Sequence, residues 1–188
     1  AAWAFVALGP QLGLDSPVLR GSRRLREVLL PSILAGSVAT LAIVAIQRGF
    51  RPFMPAELLK AGKDAAMGGP LLGISASFYG GIIEETMLRL GVMTVLAYAL
   101  HKARVPKAAA LISANIGAAI LFGVGHLPAA RTLGIPFTPP LVAYIILGNA
   151  VGGIIFGWLY AKRGVEAAMV GHFTADLWLH VVLQSFLA

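Results

Sequence analysis

Long apolar runs alternate with short polar connectors along most of this chain. Val28 to Gln47 is one such run, Ala108 to about Gly125 a second, Leu141 to Tyr160 a third and Val165 to Leu187 a fourth. Each is close to the ~20 residues with which an α-helix crosses a ~30 Å hydrocarbon core. The connectors hold basic residues and turn formers: Asp15 to Glu27, His101 to Lys107 with Pro106, the Pro-rich stretch Ala129 to Pro140, and Lys162-Arg163-Gly164. Arg48 to Lys63 reads as an interfacial segment with a short amphipathic helix from Pro55. Ala1 to Leu8 is apolar without basic residues before it, and reads as the remnant of an earlier span in a trimmed chain rather than a signal peptide. The pattern predicts an all-α, polytopic transmembrane bundle of about five to six spans. It forms a single domain over 1–188, with no internal repeat.

One stretch breaks the rule that the runs are apolar throughout. Ala65 to Leu100 is about 36 residues, or ~54 Å if wholly helical, so it must tilt, kink or divide. Gly80-Gly81 is the expected bend. Directly after it come Glu84, Glu85 and Arg89. An isolated charge at mid-bilayer costs ~3 kcal/mol, so such groups face a protein interior or a watery cavity. In a helix Glu85 and Arg89 are i,i+4 neighbours and can pair, while Glu84 points ~100° away and stays available.

Composition agrees with the pattern. Of 188 residues 58% are hydrophobic and 12% charged, and mean hydropathy is +0.83. Soluble domains carry ~25% charged residues, so this is an integral membrane protein. There is no cysteine, which excludes disulfides and thiolate metal sites. The net charge of +7 sits in the connectors, where it sets topology and meets anionic lipid, so nucleic acid is not an expected partner. If Ala65–Leu100 crosses once, nine basic residues (Arg20–Arg26, Lys102–Lys107, Lys162-Arg163) share one side. Five (Arg48, Arg51, Lys60, Lys63, Arg131) share the other, which makes the first side cytoplasmic.

The other polar residues inside apolar runs are few. Phe122 and His126 are four apart at the end of a run, and His172 and Asp176 lie at i,i+4 on one face. Individually these have ordinary readings: a packing histidine, and a structural Glu85–Arg89 pair. Asn149, Gly153 and Gly157 form a small-residue packing face, His180 an interfacial position and His101 a solvated one. Trp3, Trp158, Tyr160 and Trp178 read as interface anchors or lipid-facing groups. Collectively, six ionisable groups on separate apolar segments point to chemistry, since polar packing is normally served by Ser, Thr, Asn and Gln. Glu, His and Asp serve general acid–base catalysis or hard and borderline metal binding.

The ordered set Glu84-Glu85-x-x-x-Arg89, Phe122-x-x-x-His126, Asn149-x-x-x-Gly153-x-x-x-Gly157 and His172-x-x-x-Asp176 resembles the motifs of the CPBP intramembrane protease family. That family, also called Abi, takes in CAAX prenyl endopeptidases and bacteriocin-processing or self-immunity proteins. The resemblance runs from Gly80 to Asp176. It implies a helical bundle around a water-filled cavity in a bacterial or archaeal plasma membrane, with a membrane-associated peptide or protein as substrate. It also implies Glu84 as the principal catalytic glutamate, His126 as its helper in activating water, Glu85 and Arg89 as supports, and His172 with Asp176 at the carbonyl oxygen. The CAAX endopeptidases commonly have Asn at the last position. An ionised Asp176 accepts hydrogen bonds only, so it would orient His172 or ligate a metal rather than donate to an oxyanion.

Two other chemistries use the same residues. In a zinc-dependent version, His126, His172 and either Asp176 or Glu84 would be ligands, with an open position for water. In a transport, immunity or scaffold protein the intramembrane charges would line an ion or proton path, although no inverted repeat supports that reading.

Overall fold

The computed structural model describes residues 1–67 and 69–183, and among them every regular element is helical. The elements in order are α1 (Ala2–Leu12), α2 (Leu25–Phe50), α3 (Ala56–Met67) and α4 (Gly69–Phe78). Two π-helical stretches follow, Tyr79–Glu84 and Thr86–Met93, and lead into α5 (Thr94–Lys102). Then come α6 (Lys107–Gly125), α7 (Leu127–Thr132), α8 (Pro139–Arg163) and α9 (Val165–Leu177), which ends in a π turn, Trp178–Val182. The predicted last run ended at Leu187; 184–187 lie outside the described residues.

Local chemistry sets the helix ends. Pro106 precedes α6, and Pro139-Pro140 open α8 behind Thr138, whose Oγ1 accepts from the Leu141 N–H at 3.3 Å. Gly164 separates α8 from α9 at φ 96°, where a Cβ would run into Pro17. Glu166, in the first turn of α9, accepts from Ser16 Oγ at 2.5 Å and from the Leu19 N–H at 3.0 Å. The connector before α2 is thereby fastened to the α8–α9 turn.

Among the described residues three helical segments are long and apolar enough to cross a membrane: Leu25–Phe53, Lys107–Thr132 and Pro139–Arg163. The expected five to six spans also count the helices that carry the ionisable groups. The continuous helix from Gly69 to Lys102 traverses the bundle once. Gly73 packs on the backbone of His180 at one end, and Thr94 reaches Tyr160 at the other. The long run Ala65–Leu100 divides before Gly69, which has φ 76°, into the interfacial α3 and this traversing helix. At Gly80-Gly81, where a bend was expected, the helix widens into i→i+5 bonding and continues. The connectors therefore alternate ends. Arg48, Arg51, Lys60 and Arg131 share the end opposite the nine-cation side; the Lys63 side chain lies outside the described ones.

Inside and outside are distributed as a bilayer requires. The interior is built from small residues such as Ala39, Ala97, Ala114, Ala118, Ala167 and Ala168 around Phe156 and Leu159, while Leu30, Ile33, Leu34, Ile112, Ile116 and Ile120 point outward. Small interior residues let backbones approach closely where there is no hydrophobic drive between helices. Gly36 of α2 lies against the Gly171 carbonyl and Thr174 of α9, and Gly153 of α8 against Ala119 of α6. Gly157 faces Asn115, so two of the three residues of the expected packing face do pack. Asn149 instead faces a cavity, its amide donating to Ile145 O at 2.8 Å. Trp3, Trp158 and Trp178 are exposed as expected, but Tyr160 is buried: its hydroxyl finds a partner inside the bundle, and Phe5 of α1 covers its ring.

Adding a methyl at the α2–α9 crossing should be costly in a way that adding one elsewhere on α2 is not. Gly36→Ala is expected to lower the melting temperature in detergent, at an overpacking cost of ~1–3 kcal/mol. Gly49→Ala, with nothing near its would-be Cβ, should be neutral or raise it through helix propensity.

Candidate active site

The site begins with two glycines. A Cβ on Gly80 would collide with the Asp176 carboxylate and sit 3.0 Å from His172 Nε2; on Gly81 it would lie 2.9 Å from Phe173 Cβ and 3.0 Å from Met169 O. The widened turn Tyr79–Glu84 thus lies directly on α9, and the two acids that follow emerge beside His172 and Asp176.

Adjacent in sequence, Glu84 and Glu85 occupy opposite environments. Glu85 is fully buried. It accepts from Arg89 Nε at 2.7 Å, from Arg89 Nη2 at 3.2 Å and from His172 Nδ1 at 2.9 Å. The expected i,i+4 pair is therefore present, and it is also a bridge from the glutamate helix to α9. Arg89 is buried too, with Nη1 unpartnered among the described residues. Below it, Thr94 Oγ1 donates its only proton to Arg89 O at 2.7 Å, so the 2.9 Å contact with Tyr160 is a bond that the tyrosine hydroxyl donates. Sequence reading missed this role of Thr94 and Tyr160; a tyrosine near the end of an apolar run gives no sign of whether it faces lipid or core.

Glu84 is about one-fifth exposed and has no hydrogen-bond partner among the described residues. Its oxygens stand 4.0 Å from His126 Nε2 and 3.8 Å from His172 Nε2. His126 caps the C-terminus of α6, and its Nδ1 lies 2.8 Å from Phe122 O. A carbonyl only accepts, so Nδ1 carries the proton, and in the neutral ring Nε2 presents a lone pair toward Glu84. The Phe122–His126 spacing noted in the sequence thus has two effects: the carbonyl sets the tautomer, and the Phe122 ring meets the imidazole edge-on at 4.6 Å. His172 is held by Glu85 through Nδ1, stacks on Phe156 at 4.6 Å, and turns Nε2 to the cavity.

Asp176 stands 3.6 Å from His172 Nε2 and 3.9 Å from His180 Nε2. It flanks the cavity-facing nitrogen of His172, while the bond that orients the ring belongs to Glu85. Glu84, His126, His172 and Asp176 converge on a cavity of about 720 Å³ that is otherwise mostly apolar and extends past His180 to Gln47 and Tyr144. Glu85 and Arg89 lie behind its wall. The four converging side chains carry donor types that zinc accepts. Among the described residues, however, no three His, Asp or Glu side chains stand together closely enough to hold a metal ion.

The arrangement provides an unsatisfied carboxylate and an imidazole lone pair facing each other, a second imidazole fixed by a buried ion pair, and an apolar chamber large enough for an extended peptide. A family model described as type II CAAX prenyl endopeptidase Rce1-like matches residues 66–178, a segment holding all six of these polar residues. No curated protein and no solved structure matches the chain. The matched segment is more than half of the chain, and it supplies most of the residues that line the cavity. This integral membrane protein belongs to the type II CAAX prenyl endopeptidase Rce1-like family, whose members are intramembrane CAAX-type proteases.

Proposed function

We propose that the chain hydrolyses a peptide bond near the C-terminus of a membrane-associated protein or peptide, using water activated by Glu84 and His126. The observation that carries this reading is the division of labour between the two glutamates. Glu85 is saturated by Arg89 and His172, whereas Glu84 faces the cavity with its hydrogen-bonding capacity unspent. A water between Glu84 Oε1 and His126 Nε2 would bridge two acceptors 4.0 Å apart, donating one proton to each.

In the reaction, the water oxygen attacks the scissile carbonyl carbon while Glu84 takes its proton, and the carbonyl π electrons move onto oxygen. His172 Nε2 lies on the cavity side to meet that oxyanion. Its Nδ1–H is committed to Glu85, so it donates from Nε2 as an imidazolium, a charge that Glu85, Glu84 and Asp176 surround. Oxyanion stabilisation of this kind contributes ~3 kcal/mol. As the tetrahedral centre collapses, the proton held by Glu84 passes to the departing amide nitrogen, directly or through His126. The carbon–nitrogen bond breaks, and Glu84 and His172 are returned to their starting states. Asp176 thus serves as counter-charge for His172 and not as an oxyanion donor. The water's second proton stays on the new carboxylic acid until it passes to the released amine, so the products are a carboxylate and an ammonium and every proton is placed.

The two glutamates should respond differently to the same isosteric change. Glu84→Gln is expected to lower cleavage of a prenylated C-a-a-X peptide by about 100- to 10,000-fold, as for loss of a general base, with little change in melting temperature. Glu85→Gln should abolish activity and also destabilise the protein, by ~3–5 kcal/mol, because Arg89 is left buried without its counter-charge. Equal activity in wild type and Glu84→Gln would overturn the assignment.

Metal removal separates this reading from the zinc version. After dialysis against a strong chelator the purified protein should retain its cleavage rate and contain no stoichiometric zinc. A rate that falls with chelation and returns with added zinc would replace Glu84-activated water with a metal-bound one.

A further inference from the structure

Next to the catalytic cavity is a second, smaller one of about 280 Å³ with a different lining. The last turn of α2 and the 3₁₀ turn after it contribute Arg48 and Arg51, both exposed, opposite apolar walls from Leu58 of α3 and Leu133. Gln47, Gly62 and Tyr144 line both cavities, which therefore meet. Among the described residues the ion pairs are Arg20–Asp15, Arg89–Glu85 and the histidine–carboxylate contacts of the site; none involves Arg48 or Arg51. Two guanidinium groups without an internal counter-ion, bordering a peptide-sized chamber, suit an anion that arrives with the ligand.

We propose that Arg48 and Arg51 form the subsite for the C-terminal carboxylate of the peptide being cleaved. The proposal rests on the protease reading above. In a C-a-a-X box the terminal carboxylate lies three residues beyond the Cys. An extended C-terminus therefore carries its charge within ~10 Å of that Cys. Arg51 stands four residues, ~6 Å of helical rise, beyond Gln47, which already borders the catalytic chamber. A guanidinium fork matches a carboxylate in two parallel hydrogen bonds, and the apolar walls leave room for the terminal side chain. With the carboxylate anchored there, the distance from the chain end, more than the sequence in between, would select the bond presented to Glu84. A lipid phosphate offers similar oxygens and charge. The position of both arginines on a wall that joins the catalytic chamber favours the substrate.

The test uses the full chain in phosphatidylcholine vesicles and one prenylated C-a-a-X peptide, prepared as the free acid and as the C-terminal amide. Wild type should cleave the acid with kcat/KM about tenfold or more above the amide, the difference lying mainly in KM. In Arg48→Gln/Arg51→Gln the loss on the acid should exceed the loss on the amide by about the same factor, so that the preference disappears. Equal cleavage of acid and amide by wild type, or equal losses on both in the variant, would overturn the subsite while leaving the protease reading intact. If phosphatidylserine raises the rates on acid and amide equally and the variant loses only that increment, the arginines serve lipid head groups and the proposal fails. If wild type cleaves neither peptide, the protease reading fails and the subsite with it.

Discussion

A buried carboxylate shared between a guanidinium and an imidazole holds this molecule's interior together. Glu85 sits out of reach of solvent with Arg89 one turn away on its own helix and His172 on α9. Each of the three would be costly alone in an apolar bundle, because a buried charge without a partner loses several kcal/mol of hydration. Together they neutralise one another, and the geometry that achieves this also shapes the cavity wall. The bond from His172 Nδ1 to Glu85 turns Nε2 into the cavity, and using Glu85 as structural ligand leaves Glu84 as the unpaired acid. Thr94 and Tyr160 extend the arrangement beneath Arg89, which connects α8 to the same network.

The glycines make that triad possible. Gly80 and Gly81 let a widened helical turn rest directly on α9, with no Cβ between the backbone and His172 or Asp176. Close packing elsewhere, through Gly36 on α9 and Gly153 on Ala119, keeps the helices that bear the site at fixed separations. The interior is therefore dense and small-residued on the far side of the bundle. Elsewhere it opens into a chamber bounded by α2, α6, α8, α9 and the helix that carries Glu84. Stability and cavity come from the same helices: α2 packs on α9 through Gly36 and lines the chamber through Ile43 and Gln47.

The asymmetry of the glutamate pair also accounts for why two acids stand in tandem. One carboxylate is spent to make the histidine and arginine tolerable at this depth, and the proposed reaction uses the second to handle protons. Asp176 adds a further negative charge at His172 Nε2, where an amide would offer a donor instead. In the proposed reaction His172 therefore carries the oxyanion stabilisation, with three carboxylates around its imidazole.

Much of this was legible in the sequence because bilayer chemistry leaves so few options. Twenty-residue apolar runs, basic connectors and the absence of cysteine fix an all-α integral membrane protein. Charges inside such runs mark a cavity because they are too costly to face lipid. The i,i+4 spacing of Glu85 and Arg89 likewise foretold their pairing, since helical geometry alone brings them together. Other assignments needed the tertiary structure. Nothing in the order of residues says that His172 pairs with Glu85 and not Asp176, that Asn149 faces the chamber while Gly153 and Gly157 pack, or that Tyr160 points inward. These depend on how each helix is rotated about its axis, and an apolar run that is hydrophobic on every face carries no record of that rotation. Small residues meeting across helix crossings decide it, and those contacts exist only between segments distant in the chain.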